Sequence, residues 1–332
     1  MLLIAEIGVN HNGQVGIAEL LIRKAAASGA TAVKFQHFSA ETLTTRHAPK
    51  VAYQLLAGDK NESHYEMLKK LEITDEIETL AVELCQELEI EFISTPYDKQ
   101  SAKRLVELGC NYIKTASADI VDLPLHKAIA EHNVKPLVAT GMATFEEIDE
   151  VVQIYKQRNR EITLLHCVSN YPCSKESLNL RVIPELQKRY GVQVGFSDHS
   201  VDEKAAVVAY ALGCRVFEKH FTFDKNADGP DHKASSTPDE FLQLSTALKE
   251  TECILGSDHK SLQPEEVEMH KVSRKSLHAA RPIKFGDVFT EKHIKMIRPG
   301  GGLAGADYYK VIGKKATRDL IVDEQILESD FE

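Results

Sequence analysis

Four things are missing from this 332-residue chain: a basic excess, a CxxC pair, a glycine-rich nucleotide fingerprint and a leader-like amino terminus. Each absence closes off a class of function. A formal charge of −10 is the wrong sign for a nucleic-acid footprint, so an anionic ligand has to be held by local Lys and Arg. The six cysteines (Cys85, Cys110, Cys167, Cys173, Cys214 and Cys253) sit mostly in apolar patterns and are expected as buried free thiols rather than as a zinc finger. No Walker or dinucleotide glycine motif is present, which disfavours a nucleotide ligand. The start, MLLIAEIG, lacks a basic n-region, and Glu6 interrupts its apolar run before it could span a membrane. The expectation is a cytoplasmic protein with no membrane partner.

What is present is an ordinary globular composition, 43% hydrophobic with 18 Gly and 11 Pro. Apolar runs at 2–7, 32–36, 91–94, 112–115, 136–140, 162–167, 193–196 and 215–221 are each followed by an amphipathic, helix-like stretch. Eight such βα pairs imply a closed (β/α)8 barrel, an α/β fold, over residues 1–257. A weak internal echo supports the strand ends: SGATAVK, LGCNYIK and LGCRVFEK each run helix-stop glycine, apolar strand, charged residue. Residues 258–273 lack strand periodicity and are expected to form a connector. From 274 to 332 the pattern changes to short strand candidates (SLHAARPI, DVFT, IKMIRPGGGL, IGKKATRDL), a small β-rich second domain. The segment 38–73 is long and polar for a βα connection and is expected to act as a lid or acceptor-binding loop.

The stretch 195–235 draws the chemistry together. His199 falls just past one strand and His220 at the tip of the next, and consecutive parallel strands end side by side, so the two imidazoles could share a metal ion. Two polar strand caps are the plainer alternative. Against it stand Asp198, Glu218, Asp231 and His232, acids and an imidazole of the kind that orient metal-bound histidines. At the carboxyl ends of the other strands lie Glu6, Lys34, Gln36, Thr95, Lys114, Ser117, Asp119, Thr140, His166, Ser169, Tyr171 and Ser197. Lys34 and Lys114 on one face suit a small dianion such as a phosphate monoester, with Thr95, Ser117 and Ser197 as hydrogen-bonding partners.

Taken in order, AEIGVNHNG, VKFQ, ISTPYD, YIKTASAD, TGMAT, LLHCVSNYP, GFSDHS, EKHFT and GPDH resemble the sialic acid synthases across nearly the whole chain. RKSLHAARPIKFGDVFT and RPGGGL resemble that family's antifreeze-like domain, of β-clip form. The resemblance implies condensation of phosphoenolpyruvate with an N-acetylated mannose-type sugar by a metal-dependent, domain-swapped homodimer. It implies a phosphoenolpyruvate cradle of Lys34, Thr95, Lys114, Ser117, Ser169 and Ser197. His199 and His220 become the ligands of a divalent metal, manganese with magnesium or cobalt as alternatives, and Glu6 a carboxylate at the reacting centre. Gln36, Asp119, Tyr171 and Asp231 become sugar contacts, joined by Arg298 reaching across from the partner subunit. Asp119, Ala139 and Ser169 depart from the neuraminate-making bacterial enzymes, where Glu, Ser and Asn are usual. The run AYQLLAGDKNESHYEMLKKLE and the loop DKNADGPDHKAS look more like the legionaminate branch, whose acceptor is a doubly N-acetylated deoxy sugar. An N-acetylneuraminate synthase is the alternative. A metal-dependent pyruvate aldolase and a non-catalytic sugar-binding barrel stand further off, and neither would release phosphate from phosphoenolpyruvate.

Overall fold

Each apolar run becomes one strand of a barrel. In a computed structural model that describes residues 1–49 and 63–332, these are β1 (Leu2–Gly8), β2 (Ala32–His37), β3 (Glu91–Pro96), β4 (Tyr112–Thr115), β5 (Lys135–Ala139), β6 (Thr163–His166), β7 (Gln193–Asp198) and β8 (Val216–His220). All pair in parallel with their sequence neighbours, and β8 pairs back onto β1 from Leu2↔Val216 to Glu6↔His220, which closes the barrel. β3 and β7 run two residues beyond the apolar stretch. Their polar ends stay in the ladder because neighbours supply partners: Gln36↔Thr95 and His37↔Pro96 on one side, Ser197↔Glu218 and Asp198↔Lys219 on the other.

The period of two sorts side chains between two cores. Leu3, Ala5, Ile7, Val33, Phe35, Ile113, Val138, Leu164, Phe196 and Phe217 face outward and pack against the helices. Ile4, Ala32, Ile93, Leu137, Leu165 and Val216 fill the lower barrel. That interior is narrow: a Cβ on Gly195 would stand 2.5 Å from the Val216 carbonyl and 2.7 Å from Leu165, so only glycine fits there. Two residues further up β1, β2, β3 and β8, the same inward face carries Glu6, Lys34, Thr95 and Glu218. The barrel thus sits on an apolar plug and presents a charged layer above it.

The turn after β1 staples the seam. Asn10 Nδ2 donates to the Phe221 carbonyl (2.8 Å) and to Ser235 Oγ (3.0 Å), and Asn12 Nδ2 donates to the Asp228 carbonyl (2.6 Å). After β2 come the short helix Ala40–Leu43 and the helix His64–Leu71, whose amino end is closed by a reciprocal Ser63/Glu66 capping box. The part of the expected lid at 50–62 lies outside the described residues. Asp98 of ISTPYD has a structural duty: it caps the helix Lys99–Glu107 through the Ser101 amide.

A second unit comprises Ser257–Glu332, the first ending at Gly256. The expected connector at 258–273 groups with this unit and ends in the helix Val267–Ser273. β9 (Ser276–Ala279) and β10 (Ile294–Ile297) pair antiparallel. DVFT and IGKKATRDL, expected as strands, are reduced to single bridges, Val288↔Lys315 and Ile283↔Leu320, because turns such as Lys284–Asp287 bend the chain after each pairing. Leu277, Ile283, Phe289, Ile294, Val311, Leu320 and Ile326 form the unit's own core. Five cysteines are buried thiols as expected; Cys253 is exposed, near the end of the helix Pro238–Leu255. Among the described residues no helix is long and apolar enough to cross a membrane.

Candidate active site

Above the apolar plug, four charges interlock. Lys34 Nζ lies 2.7 Å from Glu6 Oε2, 3.7 Å from Glu218 Oε2 and 3.0 Å from Thr95 Oγ1, to which it donates. Lys114 Nζ lies 3.3 Å from Glu218 Oε1, which also accepts from Ser197 Oγ at 2.9 Å. Gln36 Nε2 donates to Glu6 Oε1 at 3.0 Å. The two acids differ. Burial pushes Glu6 up, with Glu218 adding to it against Lys34, whereas at Glu218 the two lysines overcome burial and hold the carboxyl at about 2. Burial opposes the charge on Lys114, yet Glu218 and Glu6 keep it raised. This layer therefore sets two lysines beside a firm carboxylate, with Glu6 the readier of its two acids to take a proton. Glu6 Oε2 and Glu218 Oε2 meet no donor among the described residues other than the Lys34 ammonium.

Beside this layer His199 and His220 approach with ring centroids 5.7 Å apart, and Tyr171 lies 4.1 Å from the first and 5.4 Å from the second. His199 Nδ1 donates to the Val168 carbonyl at 2.7 Å, so Nε2, 3.4 Å from a Ser197 hydroxyl whose hydrogen goes to Glu218, presents its lone pair to a ligand. Burial lowers His199 to about 4 and puts His220 well below its ordinary value. Two neutral imidazoles, one fixed in a ligating tautomer, are a donor set that fits a divalent metal. Among the described residues no group of three or more His, Cys, Asp or Glu side chains is arranged to hold one. The acids expected to orient these rings do other work. Glu218 binds Ser197 and the lysines, and Asp198 points outward to Lys219, because alternate residues of a strand face opposite ways.

Ser117, Ser169 and Cys167 surround Gly141. Ser117 Oγ accepts from the Gly141 amide at 3.2 Å and lies 3.1 Å from Cys167 Sγ. A Cβ on Gly141 would stand 2.4 Å from Ser169 Oγ, 2.7 Å from Ser117 Oγ and 2.9 Å from Cys167 Sγ, so the TGM glycine leaves the room these hydroxyls occupy.

A cavity of about 430 Å³ joins these groups. Of the residues expected from sequence, Glu6, Lys34, Gln36, Thr95, Lys114, Ser117, Ser169, Tyr171, His199, His220 and Asp231 line it. Ser197 stands behind the lining, buried against Glu218. Asp119 is also not in the lining; it sits in the 3-10 turn Ser117–Val121, pushed up to about 6 by burial and Asp122. Arg298 is exposed in the second unit. Asp231 is pushed up to about 7, by burial and then by Glu6. Glu218, expected beside the imidazoles, lines it as well, and the lining adds residues that were not foreseen: Val9, Leu43, Tyr97, Met142, Pro230 and the helix residues His64, Met67, Leu68 and Leu71. The 3, 4 and 7 spacing of those last four marked one face of a helix but not what it faced.

The NeuB family model matches residues 21–260, and the SAF domain model matches 274–332. The chain belongs to the NeuB family. Curated relatives include the N,N'-diacetyllegionaminic acid synthases of Campylobacter jejuni, 39% identical over 98% of this chain and 99% of the relative, and of Legionella pneumophila, 36% identical over 98% and 93%. A pseudaminic acid synthase of Campylobacter jejuni is 34% identical over 99% and 96%. Among solved structures, a spore coat polysaccharide biosynthesis protein E of Chromobacterium violaceum superposes with a TM-score of 0.84 at 25% identity, covering 100% of this chain and 99% of the other. NeuB-family enzymes condense phosphoenolpyruvate with amino sugars, and this member is a carbon–carbon bond-forming transferase of the sialic acid synthase type.

Proposed function

We propose that this nonulosonic acid synthase makes N,N'-diacetyllegionaminate from phosphoenolpyruvate and 2,4-diacetamido-2,4,6-trideoxymannose, releasing phosphate. The observation that carries the reading is the convergence of Lys34 and Lys114 on Glu218 in the cavity that His199 and His220 also line. That arrangement is a seat for a small dianion beside a seat for an electrophile. The choice of sugar draws support from the two legionaminic acid synthases among its relatives.

In this reading the two ammonium groups hold the phosphate and carboxylate charges of phosphoenolpyruvate, Thr95 orients Lys34, and Ser117 and Ser169 bind phosphate oxygens over Gly141. Ser197 serves the same cradle indirectly, by fixing Glu218. Gln36, Tyr171 and Asp231 contact the sugar, and Asp119 acts on that side of the site through Lys114. His199 and His220 would hold a divalent metal, manganese with magnesium or cobalt as substitutes, which would supply Lewis-acid polarisation of the open-chain aldehyde. The methylene carbon of phosphoenolpyruvate bonds to the aldehyde carbon, and the aldehyde oxygen takes up a proton. Water adds to C2 and gives up a proton, and phosphate leaves with the C–O electron pair and takes the remaining C2 hydroxyl proton, so that the ketone forms. Glu6, raised by burial, is the group placed to exchange those protons. The second unit works in a swapped homodimer, where Arg298 reaches the partner's sugar site.

The test is to incubate purified protein and phosphoenolpyruvate with the trideoxy sugar or with N-acetylmannosamine, reading phosphate release and product mass. Preference for the trideoxy sugar supports the reading. Equal or better turnover of N-acetylmannosamine makes the protein an N-acetylneuraminate synthase instead.

A further inference from the structure

The cavity has two chemistries. Its charged and hydroxyl-bearing part comes from the strand ends. A second part is apolar: Val9, Leu43, Leu68 and Leu71 contribute side chains with neither donor nor acceptor, and Met67 adds only a thioether, too weak an acceptor to replace water. Three of these lie on one face of the helix His64–Leu71, completed by His64, and Met67, Leu68 and Leu71 retain only 7–8% of their surface.

This face is held in place from outside. Lys69 pairs with Glu41 (3.2 Å) and Glu72 (3.1 Å), Tyr65 OH donates to Glu41 at 2.7 Å, and Glu72 Oε1 accepts from the Ala40 amide at 2.7 Å. Inside, Met67, Leu68 and Leu71 pack with Val9, Phe38 and Ala40 in a cluster separate from the main core. The helix therefore lays a fixed apolar surface along a cavity that elsewhere carries the charged layer, with Ala116, Ala118, Met142 and Pro230 as further apolar lining.

We infer that this apolar face selects the acceptor by its deoxy end, with Met67, Leu68 and Leu71 enclosing the C6 methyl group. The inference rests on the synthase reading above and names the part of the sugar that the helix recognises. N-acetylmannosamine carries a hydroxymethyl group at C6. Laid against these side chains, its hydroxyl would give up water and gain no partner, whereas the methyl of the 6-deoxy sugar gains apolar contact. One apolar group in such a pocket separates two substrates by about 10- to 200-fold.

The experiment measures kcat/KM for both acceptors with the full-length protein and with Met67→Gln and, independently, Leu71→Gln. Met67→Leu serves as a packing control, and the KM for phosphoenolpyruvate reports whether the charged layer is intact. The expected result is that wild type prefers the trideoxy sugar and that either Gln variant cuts its kcat/KM by about 10-fold or more. Turnover of N-acetylmannosamine holds or rises, because the new amide can bond its 6-hydroxyl, the KM for phosphoenolpyruvate is unchanged, and Met67→Leu, which keeps the wall apolar, keeps the preference for the trideoxy sugar. Equal losses on both acceptors from a wild type that prefers the trideoxy sugar would make the face structural and overturn the inference alone. Should one Gln variant not fold, the other decides. A wild type that prefers N-acetylmannosamine, or turns over neither sugar, removes the reading itself and the inference with it.

Discussion

Lys219 Nζ lies 2.7 Å from Asp198 Oδ2 and 2.8 Å from the Ser200 carbonyl, so one buried ion pair bridges the two strand ends that carry His199 and His220. Asp198 is also fixed by the Ser200 amide at 2.8 Å. Asp198→Asn or Lys219→Met leaves a buried charge unpaired and is expected to cost about 3–5 kcal/mol of stability. The double variant should lose less than either single one, and Mn2+ affinity should fall about 10- to 100-fold in both singles. Urea unfolding and calorimetric titration of the metal check this; single variants that bind Mn2+ like wild type would show the bridge does not position the imidazoles.

Chelation should abolish turnover while leaving the unfolding transition in place, since the imidazole pair lies above an apolar plug that needs no metal. His199→Ala and His220→Ala should each do the same, and added Mn2+ should not restore them. Full activity after exhaustive chelation would refute metal dependence.

Gly141→Ala forces the Ser117 and Ser169 hydroxyls and the Cys167 thiol to move, because the added methyl has backbone on one side and all three groups within 3 Å. The KM for phosphoenolpyruvate should rise by about 10-fold or more, while acceptor KM changes little. A change confined to the acceptor would place the dianion elsewhere.

Acid should destabilise the barrel through histidines remote from the lysines. Burial holds His11 and His126 at about 4 from an ordinary 6.5. The unfolded chain then binds the additional protons, so each contribution is whole above pH 6.5 and is lost as pH falls toward 4, about 3 kcal/mol apiece. Urea titrations between pH 7 and 4.5 should show this slope, and His126→Gln should reduce it. A flat profile would contradict it.

Mixed dimers test Arg298. Glu6→Ala and Arg298→Ala proteins should each be nearly inactive, and co-refolding them should restore about one site in four if Arg298 acts across the subunits. Verified heterodimers without activity would exclude the swapped arrangement.

The barrel was legible because each strand is a short apolar run closed by a glycine or a polar tip, and the carboxyl ends of those runs then placed Glu6, Lys34, Thr95 and Lys114 on one face; the period of two sorts side chains further. The second role of that period was harder to see. Asp198 read as a site residue by proximity in sequence, yet it faces outward and binds Lys219. Glu218 read as a partner of the imidazoles, but strand register sets it opposite Ser197 and within reach of both lysines. The helix bearing Met67 and Leu71 showed its amphipathic spacing plainly. What it covers depends on tertiary placement, which spacing does not encode. In the second unit, turns override the strand-like composition of DVFT and IGKKATRDL.

The seam between β1 and β8 bears on how the protein comes to be made. β1 leaves the ribosome ahead of β2 and finds it early, but its other edge stays bare until residues more than two hundred places later arrive, as the 211-residue separation of Asn10 and Phe221 shows. Contacts so distant along the chain slow folding, and an unpaired edge in the meantime invites the wrong neighbour. Chains truncated before Phe221 should therefore accumulate as aggregates rather than as smaller folded barrels.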